Sequence, residues 1–476
     1  MVLGNLIQLN SVGNEDRYLY GNPQMTHFKS VYTRASNFAI NYSKVPFIGN
    51  VNVGLGKEIK FNIPFKSDLL GALYFKIKFN DLVRKNQFTD INGVTSNKPQ
   101  FTSYVNGIGY NCFEYIKLYI NGNLIQTLDS KLIYLINELY NDHLKKESFY
   151  SMNLFNGKNF KIADDNVEDV NTTLLVPFFF SKNTSFALPL CALNHSDIQM
   201  VIKFKDASKC VVRQYNTDGD TEMGINGYTV ATENQGGQNV LVATGPSGNV
   251  PNQYEIYDEE VTAEIESFEI FSENIYLSDN EKKMFLNREL TYLIELFHIG
   301  NTNKLTNPSQ DITYSMELES KNPTKYIAWF LQREDVFDAN YYDNNTSTFP
   351  IKYNSSQYNT ERKHHILNDA VLSLNNNDIN DSVDAKFLSD VILYQRFNTS
   401  VNGNLYVLSF ALHPKNDAPT GTINFSRILY KTLRLTLVDE SKYTNNNYKP
   451  TILFNYYSSF YNILVIKDGL GGLMYQ

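Results

Sequence analysis

The sequence predicts an all-β chain folded as two sandwich domains, and three observations carry that expectation. Tyr and Phe are abundant, 33 and 31 residues against a single Trp, and such rings favour the half-buried, pleated surface of a sheet. Short segments with a hydrophobic period of two recur along most of the chain. The length of 476 residues exceeds one ordinary sandwich and gives each of two domains enough chain for its own core. Asn, Lys and Ile are also frequent, but an AT-rich genome produces the same bias, so it carries little structural weight.

The strands follow in order. In Leu73–Phe79, Leu73, Phe75, Ile77 and Phe79 share one face, and Tyr74, Lys76 and Lys78 the other. Glu114–Ile120 alternates more weakly and runs into Asn121-Gly122, a dipeptide suited to the positive φ angles of a tight hairpin. Met200–Lys205, Ser315–Glu319, Tyr406–Leu412 and Leu433–Leu437 also read with a period of two, as the one-side-buried strands of a sandwich should.

Helices are few. Asp129–Lys146 sets Leu132, Leu135, Ile136 and Leu139 on one stripe, with Asp129 or Ser130 as N-cap. Ser278, followed three residues later by Glu281, is a capping-box pattern expected to open a short helix through Phe285. The domain junction is placed there. Asn86–Pro99, Gln214–Gln253 and Asp338–Thr360 are polar or rich in Gly and Asn and read as long loops. Two strand-rich halves fit a duplicated domain, although no clear sequence repeat proves it.

Charge and targeting signals narrow the function classes. The formal net charge is −8, with Lys and Arg dispersed among carboxylates, which argues against direct nucleic-acid binding through a clustered basic surface. Cys112, Cys191 and Cys210 are an odd, sparse set; they form no disulfide framework and fit a reducing compartment. The first residues lack a basic segment followed by an apolar one, so no secretory signal is expected. No apolar run approaches the roughly 20 residues needed to span a bilayer. Cytosolic synthesis is the expectation.

Candidate chemistry dissolves on inspection. Gly469-Leu470-Gly471-Gly472 lacks the Lys-Ser/Thr continuation of a phosphate loop, and backbone turning or close interchain packing explains it better. His364 and His365 are adjacent, so they diverge on a strand or a helix, and no further ligand sits at metal spacing. His143 and His195 read as structural. There is no G-x-S-x-G elbow, and Asp258-Glu259 reads as a solvated edge. Arg427 is expected in a buried ion pair or a backbone tie, with interchain contact as the second role. The sequons at Asn171, Asn183, Asn345, Asn354 and Asn398 arise by chance in an Asn-rich chain, and cytosolic synthesis excludes ordinary glycosylation. No catalytic, cofactor-binding or metal-binding residue is assigned.

Several blocks resemble one family. Gly13-Asn14-Glu15-Asp16-Arg17-Tyr18-Leu19, then Gly21-Asn22-Pro23-Gln24-Met25-Thr26-His27-Phe28-Lys29 and Val31-Tyr32-Thr33-Arg34, resemble the opening of major capsid proteins of large nucleocytoplasmic DNA viruses. His27, Thr33 and Ser36 depart mildly from that pattern. Asn106-Gly107-Ile108-Gly109, Phe186-Ala187-Leu188-Pro189-Leu190 with Ala192-Leu193, and Asn280-Glu281-Lys282-Lys283-Met284-Phe285 are similar to later family blocks. So are Ser409-Phe410-Ala411-Leu412 with Asn424-Phe425-Ser426-Arg427, and Tyr461-Asn462-Ile463-Leu464 closing on Gly469-Leu470-Gly471-Gly472-Leu473. They occur in family order from near residue 13 to the last residues.

The resemblance implies two consecutive eight-stranded jelly rolls, a double jelly roll, with long loops and a few short helices. It divides the chain into an N-terminal arm (1–25), a first roll (26–280) and a second roll (281–476). It implies a non-enzymatic protein of the virion, a homotrimer forming pseudo-hexagonal capsomers of an icosahedral shell. Its partners would be neighbouring capsomers and minor capsid proteins, with an inner membrane under the shell as a further candidate. The start of the chain would lie near the shell's inner side. A minor capsomer or scaffold of the same fold is the nearest alternative, and a carbohydrate-binding or carbohydrate-processing β-sandwich the alternative of a different class.

Overall fold

The computed structural model describes residues 22–26, 28–29, 33–46, 53–80, 88–89, 95–96, 100–105, 107–154, 170–215, 229–235, 238–244, 263–305, 312–333, 365–401, 405–438 and 451–475. The stretch Asp338–Thr360, most of Asn86–Pro99, residues 1–21 of the arm, Asn345, Asn354, His364 and Asp258-Glu259 lie outside them. Residues 39–476 form one compact unit.

Eight strands carry the first half: β1 (Phe38–Lys44), β2 (Glu58–Asn62), β3 (Leu69–Phe79), β4 (Phe113–Ile120), β5 (Asn123–Leu128), β6 (Asn171–Leu175), β7 (Ile198–Phe204) and β8 (Ile265–Leu277). They make two four-stranded sheets, in the orders β1-β8-β3-β6 and β2-β7-β4-β5. The alternation read in β3 is observed: Leu73, Phe75, Ile77 and Phe79 are buried, whereas Lys76 faces water. Aromatic rings bridge the sheets, Phe75 to Phe113 at 5.7 Å and Phe204 to Phe268 at 5.5 Å, so the sheets face one another across a shared core. The hairpin between β4 and β5 turns on Asn121 and Gly122, with φ of 52° and 75°, the left-handed pair that suits the twist of a two-residue hairpin.

The second half is built from β9 (Leu290–Ile299), β10 (Ile312–Glu317), β11 (Pro323–Arg333), β12 (Leu367–Leu374), β13 (Leu405–Ser409), β14 (Lys431–Leu437) and β15 (Ile452–Lys467), with short flanking strands. One sheet runs β9-β15-β11-β13 and the other β10-β14-β12. The larger sheet is apolar on both faces. Along β11, Ile327, Trp329 and Leu331 enter the second core with Leu433, Leu435 and Leu372 of the opposing sheet. The alternate residues Tyr326, Ala328 and Phe330 enter the first-half core instead. That double burial explains why Tyr326–Leu331 shows a continuous apolar run rather than polar alternation.

Three expectations need correction. The helix expected over Asp129–Lys146 is two helices, α1 (Ser130–Tyr140) and α2 (His143–Met152). Asn141 takes an extended backbone between them, its side-chain amide donating to Asn137 Oδ1 at 2.7 Å; Asn offers its backbone such alternatives to continuing a helix. The stretch Gln214–Gln253 is not all loop, because Thr229–Gln235 pairs antiparallel with Gln238–Thr244. The helix after Ser278 is present as α3 (Asp279–Leu286), but the Ser278 side chain makes no capping hydrogen bond. Among the described residues, no strand before α3 pairs with one after it.

Candidate functional site: the joint between the two sandwiches

The faces that meet here are those the sandwiches do not use internally. Helix α1 lies against the outer face of the large second sheet, Tyr134 resting 6.2 Å from Phe330, which in turn meets Tyr457 at 6.1 Å. Apolar burial supplies the bulk of this contact, and polar ties fix its orientation.

The first tie is a helix cap. Asp129 accepts the Leu132 backbone N–H at 2.7 Å, as an N-cap carboxylate should. Its second oxygen accepts the Tyr457 hydroxyl of β15 at 3.0 Å. Burial pushes the Asp129 carboxyl up from its usual value, while Leu132, Lys131 and Tyr457 pull it back in part.

A buried ion pair forms the second tie. Glu138 of α1 and Lys146 of α2 stand 3.1 Å apart with side chains only 2% and 8% exposed. Lys146 also donates to Thr399 Oγ1 at 2.7 Å and to the Ser400 carbonyl at 3.0 Å. The Tyr150 hydroxyl donates to Glu138 as well. Every charge is thus paired and hydrogen-bonded, the condition under which burial of ions is tolerated.

The third tie centres on Glu295 of β9. Lys325 of β11 and Lys182 each approach its carboxylate to 3.0 Å, Lys325 as an ion pair rather than an aligned hydrogen bond. The hydroxyls of Tyr140 and Ser459 donate to the same carboxylate. Lys182 continues to Asp417 at 2.9 Å. Burial alone would raise the Glu295 carboxyl, but Lys325 and Lys182 outweigh it and hold it below its usual range. Burial lowers Lys325, and Glu295 only partly restores it.

The fourth tie is the glycine-rich turn near the C-terminus. Gly469, at φ 81°, accepts the His195 N–H at 3.1 Å and the Ser196 hydroxyl at 2.9 Å through its carbonyl. Gly471 accepts Asn121 Nδ2 at 3.2 Å. A Cβ on Gly469 would stand 2.3 Å from Asn194 Oδ1. Close packing within the chain, together with backbone turning, therefore accounts for these glycines.

The remaining candidates are scattered. His143 is exposed beside Glu147 at 3.4 Å, and His365 Nδ1 lies 3.4 Å from the Tyr406 hydroxyl. Arg427 is exposed, so the expected buried ion pair is not formed; its position after the buried anchor Phe425 leaves the guanidinium at the surface. Cys112, Cys191 and Cys210 are all free, and burial raises the Cys210 thiol to about 12. Among the described residues no three His, Cys, Asp or Glu side chains gather as a metal site. Sequence reading missed Glu295, Lys325 and Lys182, whose neighbours carry no motif.

Paired antiparallel sandwiches sharing one apolar layer, joined by buried ions, place the chain in the double jelly-roll class. Two family profiles agree: "Major capsid protein N-terminus" matches residues 26–250 and "Large eukaryotic DNA virus major capsid protein" residues 281–472. The chain belongs to the major capsid protein family of large eukaryotic DNA viruses. It is 24% identical to the major capsid protein of Pyramimonas orientalis virus and 26% to that of Paramecium bursaria Chlorella virus 1, each match covering 99% of both chains. The solved Faustovirus major capsid protein superposes with a TM-score of 0.68 at 13% identity, over 97% of this chain and 96% of that one.

Proposed function

We propose that the protein is the structural unit of a viral shell, that three copies join into a pseudo-hexagonal capsomer, and that capsomers assemble into an icosahedral capsid. The carrying observation is the joint itself. Two sandwiches locked in one chain give a trimer six similar sides, which is the geometry needed to tile a shell. The division into an arm (1–25), a first roll (26–280) and a second roll (281–476) belongs to this reading, as do assembly in the host cytoplasm and residence in the virion. The role is structural, with no catalytic step of its own; neighbouring capsomers, minor capsid proteins and an inner membrane are its surroundings.

A surface feature supports the association of copies. Phe387, Val391 and Tyr394 lie on the π-helical segments Phe387–Val391 and Leu393–Phe397 and are 42%, 43% and 77% exposed. Large exposed apolar side chains gathered on one short segment mark an interaction surface.

Light scattering coupled to size exclusion should give three chains per particle at micromolar concentration, with an interface of roughly 2,000–5,000 Å² or more. A strict monomer would sink the proposal. In the same experiment a variant lacking residues 2–20 should remain a folded trimer but lose particle formation, because terminal arms gain order only on docking. If that deletion unfolds the protein, the arm belongs to the core.

A further inference from the structure

We propose that the cleft beneath α1 is a binding site for a small anionic amphiphile of the fatty-acid class. The cleft has a volume of about 480 Å³ and lies between α1, the segment Pro177–Lys182 and β9, a size typical of small-molecule sites. Its walls are largely apolar, with Ile133, Phe178, Phe179, Phe186, Leu293 and Phe297 among them.

Among the described residues, two side chains on these walls carry a polar atom with no hydrogen-bond partner. Gln126 is 3% exposed, and its amide nitrogen is buried without a hydrogen-bond acceptor, although its carbonyl oxygen accepts the Phe179 N–H at 3.3 Å. The Ser181 hydroxyl is likewise buried and unpaired. An orphaned buried donor costs about 1–3 kcal/mol, so a chain that retains two beside one cavity is suited to a ligand that carries an acceptor.

The charges around the cleft define that acceptor. Lys145, Lys182 and Lys415 face two carboxylates, Glu295 and Asp417, which leaves one positive charge over. Glu295 and Asp417 are already engaged by Lys182, whereas among the described residues Lys415 pairs with Asp142 alone, at 3.8 Å. A carboxylate head with a hydrocarbon tail matches the lining: the tail lies against the phenylalanines, and the head accepts from the amide, hydroxyl and ammonium donors. This inference does not depend on shell assembly, and its test is read on the purified chain.

Isothermal titration with decanoate is the direct test, with 1-decanol as the uncharged probe. Decanoate should bind at one site per chain, and decanol at least about tenfold more weakly. Leu293→Trp, at a rim position that is 39% exposed, should abolish binding without shifting the melting temperature. Ser181→Ala removes a buried hydroxyl that has no hydrogen-bond partner and should leave folding intact while weakening decanoate about tenfold. The proposal is overturned if the native chain shows no binding at about 1 mM decanoate, if decanol binds as well as decanoate, or if Leu293→Trp binds like the native chain.

Discussion

Glu295 shows how much of this fold rests on single charges. Its carboxyl sits below the usual value of 4.5 because two ammonium groups outweigh the cost of burial. A depressed carboxyl binds fewer protons folded than unfolded, so its contribution is fully present above about pH 4.5 and is lost as pH falls through the folded value. Denaturant melts followed by Trp329, the only tryptophan and fully buried, should therefore lose stability as pH falls below about 4.5. Glu295→Gln should flatten that limb and cost about 3–5 kcal/mol at neutral pH, because Lys325 loses its counter-charge. An unchanged acid limb in the variant would show that other carboxylates govern it. Asp129 works in the opposite sense, since burial raises it, which is why the variant rather than the native profile is decisive.

Among elements, α1 carries the most. Its Asp129 cap also reaches β15, so Asp129→Ala should cost about 1 kcal/mol for the cap and a further ~1–3 kcal/mol for the stranded Tyr457 hydroxyl. Tyr457→Phe removes only the second part. Comparing the two unfolding midpoints separates the contributions, and equal losses would refute the split. The stripe on α1 and its cap were legible in the sequence because both are local, and so was the alternation in β3. The stop at Asn141 was not, since Asn137 and Asn141 end the helix through a side-chain pair that resembles an ordinary polar face. The hairpin at 229–244 had a local signal in Gly236-Gly237, which the surrounding polar composition concealed. The joint was not legible at all. Glu295 meets partners 30 to 164 positions away, and no spacing rule spans such separations.

For the whole molecule, strand order has a consequence in biosynthesis. β15 lies between β9 and β11, yet its first residue is translated roughly 150 residues after β9 is complete. At about 5–20 residues per second, the two strands that flank it emerge some 6–30 s before it does. During that interval both present open edges, the usual template for intermolecular pairing. The first sandwich has the same arrangement, since β8 lies between β1 and β3 and begins 186 residues after β3 ends, but all its strands precede α3, so it can close first. A chain ending at residue 450 should show Trp329 emitting as a solvated indole, whereas native-like emission would mean that the second core closes without its central strand. Each sandwich thus waits for its last long strand, and the second keeps its sheet edges open until β15 has left the ribosome.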